Sequence, residues 1–211
     1  KRFFCKPSDS CSGKGIYKNI DLNEQSDLKE VYSYLKENHL FVEDSILQHP
    51  QMSLLNQSSI NTLRVTTLLD NNDEVHIMYA LQRIGIDGMS VDNVGSGGIY
   101  TVLSQEGKID HPCWSDKTIS TYTKHPTSKM ELIGFEVPYF KQALELCKKA
   151  AKVEKHIRYV GWDIAITEKG PLIVEGNPLP GYDMPQNYFV TGKDNGLKPA
   201  FEQILHENNE H

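Results

Sequence analysis

Val160 to Gly181 reads VGWDIAITEKGPLIVEGNPLPG, two β-rich runs joined at Glu168-Lys169-Gly170. The joint has the form of a three-residue hairpin loop, with glycine available for a left-handed position. Centring the loop on Lys169 sets Ile164 opposite Val174 and Ile166 opposite Leu172, which makes one face apolar throughout. The other face then brings Asp163 opposite Glu175, with Asn177 two residues further along. Carboxylates directly across a ladder repel, and a bound cation removes that penalty. Oxygen donors from Asp, Glu and Asn suit a hard ion such as Mg²⁺, which combines one or two carboxylates with phosphate and water. A merely solvated acidic face is the alternative. Trp162, Gly176, Pro178 and Pro180-Gly181 shape the segment more than a solvated edge requires.

Working outward, the pattern is α+β. Arg2 to Pro7 and Ile16 to Ile20 read as strands of a hairpin around the polar loop Ser8 to Gly15. Asp27 and Glu30 have capping-box spacing ahead of a helix whose Leu28, Val31 and Leu35 share a face, and Asn38 stops it. His39 to Leu47 reads as a strand, and Gln48 to Ser59 as a looser link into a second lobe. Thr62 to Leu69 and Glu74 to Arg83 are strands around the turn Asp70-Asn71-Asn72-Asp73. Ile99 to Leu103 is a further strand, and residues 104–135 have no clear period. Pro138 opens a helix with Phe140, Leu144, Cys147 and Ala151 at helical spacing. A last helix near Leu197 to Leu205 sets Leu197 and Phe201 on one side.

With 211 residues, one large domain or two small lobes can each bury a core. A net charge of −6 and the lack of a basic stripe interleaved with aromatics argue against nucleic acid as the partner. No apolar run is long enough to span a membrane. Cys5, Cys11, Cys113 and Cys147 are scattered without metal-type spacing, which fits a reduced, cytoplasmic setting. The sequon at Asn56-Gln57-Ser58 carries no weight. The eight histidines are scattered, and His49 is the one near a proposed site edge. Neither a histidine nucleophile mechanism nor a zinc site is expected.

Gly161-Trp162-Asp163 followed by Glu175-Gly176-Asn177-Pro178 resembles the metal-binding strand pair of ATP-grasp enzymes. The nearest likeness is to the sugar-transfer associated ATP-grasp family, related to α-L-glutamate ligases, and Asn61-Thr62-Leu63-Arg64 and Gly97-Gly98 also look like it. The likeness runs over about residues 1–190 in the expected order. It implies an α+β grasp of two lobes, each a mainly antiparallel sheet with helices. Residues 1–47 would be the small nucleotide-clamping lobe and 48–211 the larger lobe carrying the metal. The family's further N-terminal domain, with an earlier nucleotide-contacting lysine, would be absent, since the chain starts just before the second lysine.

The same resemblance implies roles residue by residue. Lys6, with the loop Ser12-Gly13-Lys14-Gly15, would contact ATP phosphates. Glu43 and Ile46, in the strand joining the lobes, would lie by the adenine, an edge strand with solvated acids being the equal alternative. Arg64, and more weakly Arg83, would clamp a phosphate or acyl phosphate. Asp92-Asn93 and Gly95 to Gly98 could approach substrate or be a plain turn. Asp163, Glu175 and Asn177 would hold Mg²⁺, with Mn²⁺ as a substitute. The implied activity is Mg·ATP-dependent activation of a small-molecule carboxylate as acyl phosphate for attack by an amine, in a cell-surface polysaccharide context. A small-molecule kinase and a non-catalytic nucleotide-binding module are the other two readings.

Overall fold

The computed structural model describes residues 2–7, 18–21, 23–24, 27–86, 94, 97–192 and 196–207. The chain forms two compact units, Lys1–Leu47 and Gln48–His211.

In the first unit, β1 (Arg2–Pro7) is the central strand of an antiparallel sheet, flanked by β2 (Lys18–Asp21) and β3 (Leu40–Asp44). Among the described residues, Cys5 and Ile20 are its buried apolar side chains. Helix α1 (Leu28–Glu37) begins where expected. Asp27 Oδ1 accepts hydrogen bonds from the Lys29 and Glu30 amides at 2.8 and 3.4 Å, satisfying donors that have no partner in the helix. Asn38 ends it, its Nδ2 donating to the Tyr34 carbonyl at 2.8 Å.

The second unit is built on a seven-stranded antiparallel sheet. Its strands are β4 (Leu63–Leu69), β5 (Val75–Ile84), β6 (Ile99–Val102), β7 (Cys113–Ser115), β8 (Ser120–Tyr122), β9 (Tyr159–Thr167) and β10 (Gly170–Pro178). Their order across the sheet is β10-β9-β4-β5-β6-β7-β8. Helix α3 (Phe140–Ala151) lies on one face. Its buried Phe140, Ala143, Cys147 and Ala151 recur every three or four residues, the period of a single helix face. Phe140, Ala143 and Cys147 join Leu63, Val65, Ala80, Ile84, Ile164 and Ile166 in the main core. The opposite face carries a smaller cluster, Val94, Tyr100 and Val190, backed by Trp114 and Met184. A 3-10 turn at Met184–Gln186, the short helix α4 (Tyr188–Thr191) and α5 (Lys198–Glu207) complete the chain. Phe201 of α5 meets the Tyr159 ring edge-on at 5.5 Å. Among the described residues no helix is long and apolar enough to cross a membrane.

The hairpin register and the Gln48–Ser59 link differ from what the sequence suggests. The hairpin pairs Thr167 with Gly170, so its turn is the two residues Glu168-Lys169 and the register starts one residue tighter than the sequence suggested. Thr167 closes it, donating from Oγ1 to the Gly170 carbonyl at 2.8 Å and accepting from the Lys169 amide at 3.1 Å. A bulge between Ile173 and Glu175 takes up the difference, and from there Asp163 does face Glu175. Ile173, rather than Leu172 and Val174, therefore packs on the core, and those two are exposed.

The stretch from Gln48 to Ser59 is not a loose link. It contains α2 (Pro50–Ser53) and is pinned by Gln48, whose Nε2 donates to the carbonyls of Asn56 and Ser59, both at 3.0 Å. Buried Asn61 donates to Met52 and Asn56 carbonyls in the same knot. Asn56 of the sequon is itself buried. Residues 104–135, which had no clear period, supply Ile109, Cys113, Leu132 and Phe135 to the core. Their strands are three residues long, too short to show a period. His125 is buried there, structural rather than catalytic, with Nε2 donating to the Gly85 carbonyl at 2.9 Å.

Gly107 sits at φ +84°, and a Cβ there would stand 2.3 Å from the Phe140 ring, whereas Gly134 at φ +87° faces open space. Gly107→Ala is expected to cost about 2–4 kcal/mol through backbone strain and displacement of Phe140. Gly134→Ala should cost about 1 kcal/mol from backbone strain alone. Urea unfolding of both variants checks the difference, and equal losses would contradict the packing of Phe140.

Candidate active site

The polar row lies on the sheet face opposite α3. Glu175, Asp163, Arg64 and Leu81 are successive cross-strand partners on β10, β9, β4 and β5. Partners share a face, as do residues two apart on one strand, so Arg83 joins the same face beyond Leu81. Leu63 and Val65 flank Arg64 and point into the core, which leaves the arginine on the open side.

Both guanidinium groups converge on one acid. Arg64 Nε donates to Asp163 Oδ1 at 2.5 Å and its Nη2 to Oδ2 at 3.1 Å. Arg83 Nη2 lies 2.9 Å from the same Oδ2. Thr62 Oγ1 accepts from Arg83 Nε and Nη2 at 3.0 and 2.7 Å, which fixes that guanidinium. The Asp163 side chain is only 5% exposed. Burial pushes its carboxyl up, but the Arg64 hydrogen bond and the charges of Arg83 and Arg64 outweigh burial and hold it below the usual carboxylate range. The cation offsetting the Asp163–Glu175 repulsion within this chain is thus a pair of arginines. A pairing 99 residues apart for Arg64 and Asp163 leaves no local mark in a sequence.

Glu175 and Asn177 are more open. Asn177 Nδ2 donates to Glu175 Oε1 at 3.1 Å. That bond uses the donor end of the amide, so the amide oxygen and the second carboxylate oxygen are the atoms a hard cation would take. Gly161 keeps the row compact, since a Cβ there would stand 3.0 Å from Arg64 Cδ and 2.8 Å from Pro180 Cβ; on the α3 face, one at Gly176 would stand 2.9 Å from the Trp162 ring. The chain beyond β10 is tied back to the same face, where Tyr79 Oη donates to the Gly181 carbonyl at 2.8 Å.

The second unit therefore assembles Arg64, Arg83, Asp163, Glu175 and Asn177. In the first unit, Lys6 Nζ lies 2.9 Å from Glu43 Oε2 and 4.9 Å from the Phe41 ring centroid. Ile46 follows β3 and is half-buried. Ser12, Gly13, Lys14, Gly15 and Cys11 lie outside the described residues, as do Asp92, Asn93, Gly95 and Ser96. A second group, Asp70, Glu74 and His76, also brings possible metal-ligand atoms within 4.8 Å of one another. Asp70 is spent on its turn, however. Its Oδ1 accepts from the Asn72 and Glu74 amides at 2.8 and 2.9 Å, and its Oδ2 lies 2.9 Å from His76 Nε2. Cys113 and Cys147 are buried thiols, each pushed up to about 12 by burial, and are unreactive on that account.

Two antiparallel sheets, the larger ending in a Glu-x-Asn strand beside a buried acid–arginine cluster, are the architecture of an ATP-grasp protein. The chain belongs to the sugar-transfer associated ATP-grasp family, whose model matches residues 1–204. Among solved structures, an L-amino acid ligase from Bacillus licheniformis is similar at 13% identity and a TM-score of 0.47. That match takes in 97% of this chain, which spans only 39% of the ligase chain. No curated protein matches.

Asp163→Asn removes the carboxylate that two nearly buried guanidinium groups share, and a loss of about 3 kcal/mol is expected. Because the folded-state carboxyl titrates below its unfolded value of about 3.9, its stabilisation is complete above about pH 4. It is lost as the pH falls through the folded value. The gap between wild type and Asp163→Asn in urea should be constant from about pH 8 to 5 and shrink below about 4. A gap that widens on acidification would contradict the pairing.

Proposed function

We propose that the face carrying Arg64, Arg83, Asp163, Glu175 and Asn177 binds the phosphates of ATP with a divalent cation, and that the protein is an ATP-dependent ligase. On this reading it activates a small-molecule carboxylate as an acyl phosphate, which an amine then attacks. The observation that carries the proposal is the convergence of Arg64 and Arg83 on Asp163 beside Glu175 and Asn177. Two guanidinium groups poised on one face are forked donors for phosphoryl oxygens. Two hard-oxygen side chains beside them match what Mg²⁺ takes when phosphates complete its shell.

The roles follow from chemistry. Glu175 and Asn177 would hold the ion, with Asp163 its nearest further carboxylate. A bound Mg²⁺ would supply neutralisation of phosphate charge. Arg64 and Arg83 would bind the transferring phosphoryl oxygens. Asp163 keeps both guanidinium groups aimed before substrate arrives, so that little reorganisation remains at the moment of reaction. In the first unit the same reading gives Lys6 and Glu43 nucleotide contacts.

The test is thermal unfolding with ADP, with and without Mg²⁺, for wild type and Glu175→Gln. Ligand at about 100 times its dissociation constant adds about 2.7 kcal/mol of stability. The expected result is a rise that needs Mg²⁺ and is lost in Glu175→Gln. No rise, or one that Glu175→Gln keeps, sinks the site. For the chemistry, ADP release from ATP should require a carboxylate and an amine together. Release sustained by a single hydroxyl acceptor would instead make the enzyme a kinase.

A further inference from the structure

The row that holds Arg83 does not end at β5. Arg83 is the cross-strand partner of Tyr100 on β6, and Tyr100 is the partner of Trp114 on β7. All three side chains leave the sheet on one face, and two strand spacings put the Arg83 and Trp114 backbones roughly 10 Å apart. Trp114 stacks on Phe189 of α4, ring centroids 4.9 Å apart and planes 3° from parallel. Tyr188 stands edge-on beside Phe189, 6.1 Å away at 76°. Phe189 and Tyr188 are nonetheless 54% and 59% exposed. The two rings thus present an open aromatic surface on the same face as the polar row.

The platform is held firmly and is acidic. Asn187 Nδ2 donates to the buried Tyr100 hydroxyl at 3.1 Å, and its Oδ1 accepts from the Phe189 amide at 3.0 Å. Val190, next in the helix, is fully buried. Trp114 Nε1 donates to Asp116 Oδ1 at 2.8 Å. Asp116 and Asp183 are the charged groups that act on the Tyr100 phenol, which burial foremost pushes up to about 12. Electron-rich ring faces beside carboxylates attract a cation and repel an acid.

We propose that Tyr188, Phe189, Trp114 and Asp116 form the subsite for the amine substrate, taken as an ammonium ion carrying an apolar or flat group. This rests on the ligase reading above, which requires an amine near the phosphate-binding arginines. The ammonium is recognised by the ring faces and by Asp116, and its apolar part covers Phe189 and Tyr188. Specificity for the acceptor amine thus lies in α4 and at β7, whose Trp114 stands about 10 Å along the sheet from Arg83.

Trp114 is one of two tryptophans, so its fluorescence can report on occupancy. Phenethylamine, phenethyl alcohol and phenylacetate are titrated into the intact chain without nucleotide. The expected result is saturable quenching by phenethylamine alone. It should weaken about fivefold in Phe189→Leu, which keeps apolar bulk but removes the ring, and persist in Phe189→Tyr and in Glu175→Gln. Equal binding of the alcohol, or unchanged affinity in Phe189→Leu, overturns the subsite. The ligase reading is scored separately by Mg·ADP stabilisation, which Phe189→Leu should leave intact. Mg·ADP binding without amine quenching overturns the subsite alone, and amine quenching without Mg·ADP binding supports the subsite while removing the nucleotide site.

Discussion

The site depends on one carboxylate, that of Asp163, held between two arginines. A nearly buried charge is tolerated only when it is paired and hydrogen-bonded, and here each member supplies what the others lack. Asp163 permits Arg64 to sit in the middle of a sheet between two core-facing residues. Arg64 and Arg83 in turn permit Asp163 and Glu175 to face each other across a ladder without a clash of like charges. The glycine at 161 then follows as a packing requirement, because a Cβ there would strike Arg64 and Pro180.

This arrangement also explains how the fold separates its two tasks. Core residues on the α3 face carry the stability of the second unit, and the alternating residues of the same strands carry the polar row. The period of two along each strand lets one sheet do both. The first unit presents its own charged pair, Lys6 and Glu43, on neighbouring strands of a small sheet.

Much of this was legible in the sequence where the signal is local. The Asp27 cap, the Asp70 turn with the strands either side of it, and the face-to-face placement of Asp163 and Glu175 each rest on residues within about a dozen positions of one another. The hairpin was read one residue too loose near its turn because Thr167 closes the pairing with its side chain, and nothing in the alternation reveals the compensating bulge. The resemblance implies a phosphate clamp for the arginine pair but not its pairing with Asp163, since the strands that meet there are far apart in the chain. The aromatic platform was missed for the same reason. Trp114 lies in a three-residue strand with no period, and Phe189 reaches it only in three dimensions.

The most direct measurement is a crystal of the protein grown with Mn²⁺ and ADP, with the ion located by its anomalous signal. The account predicts a peak within about 2.0–2.4 Å of oxygen atoms of Glu175 and Asn177, with the nucleotide's phosphates in reach of Arg64 and Arg83. An ion bound instead at Asp70, Glu74 and His76, with the Glu175 face empty, would contradict it.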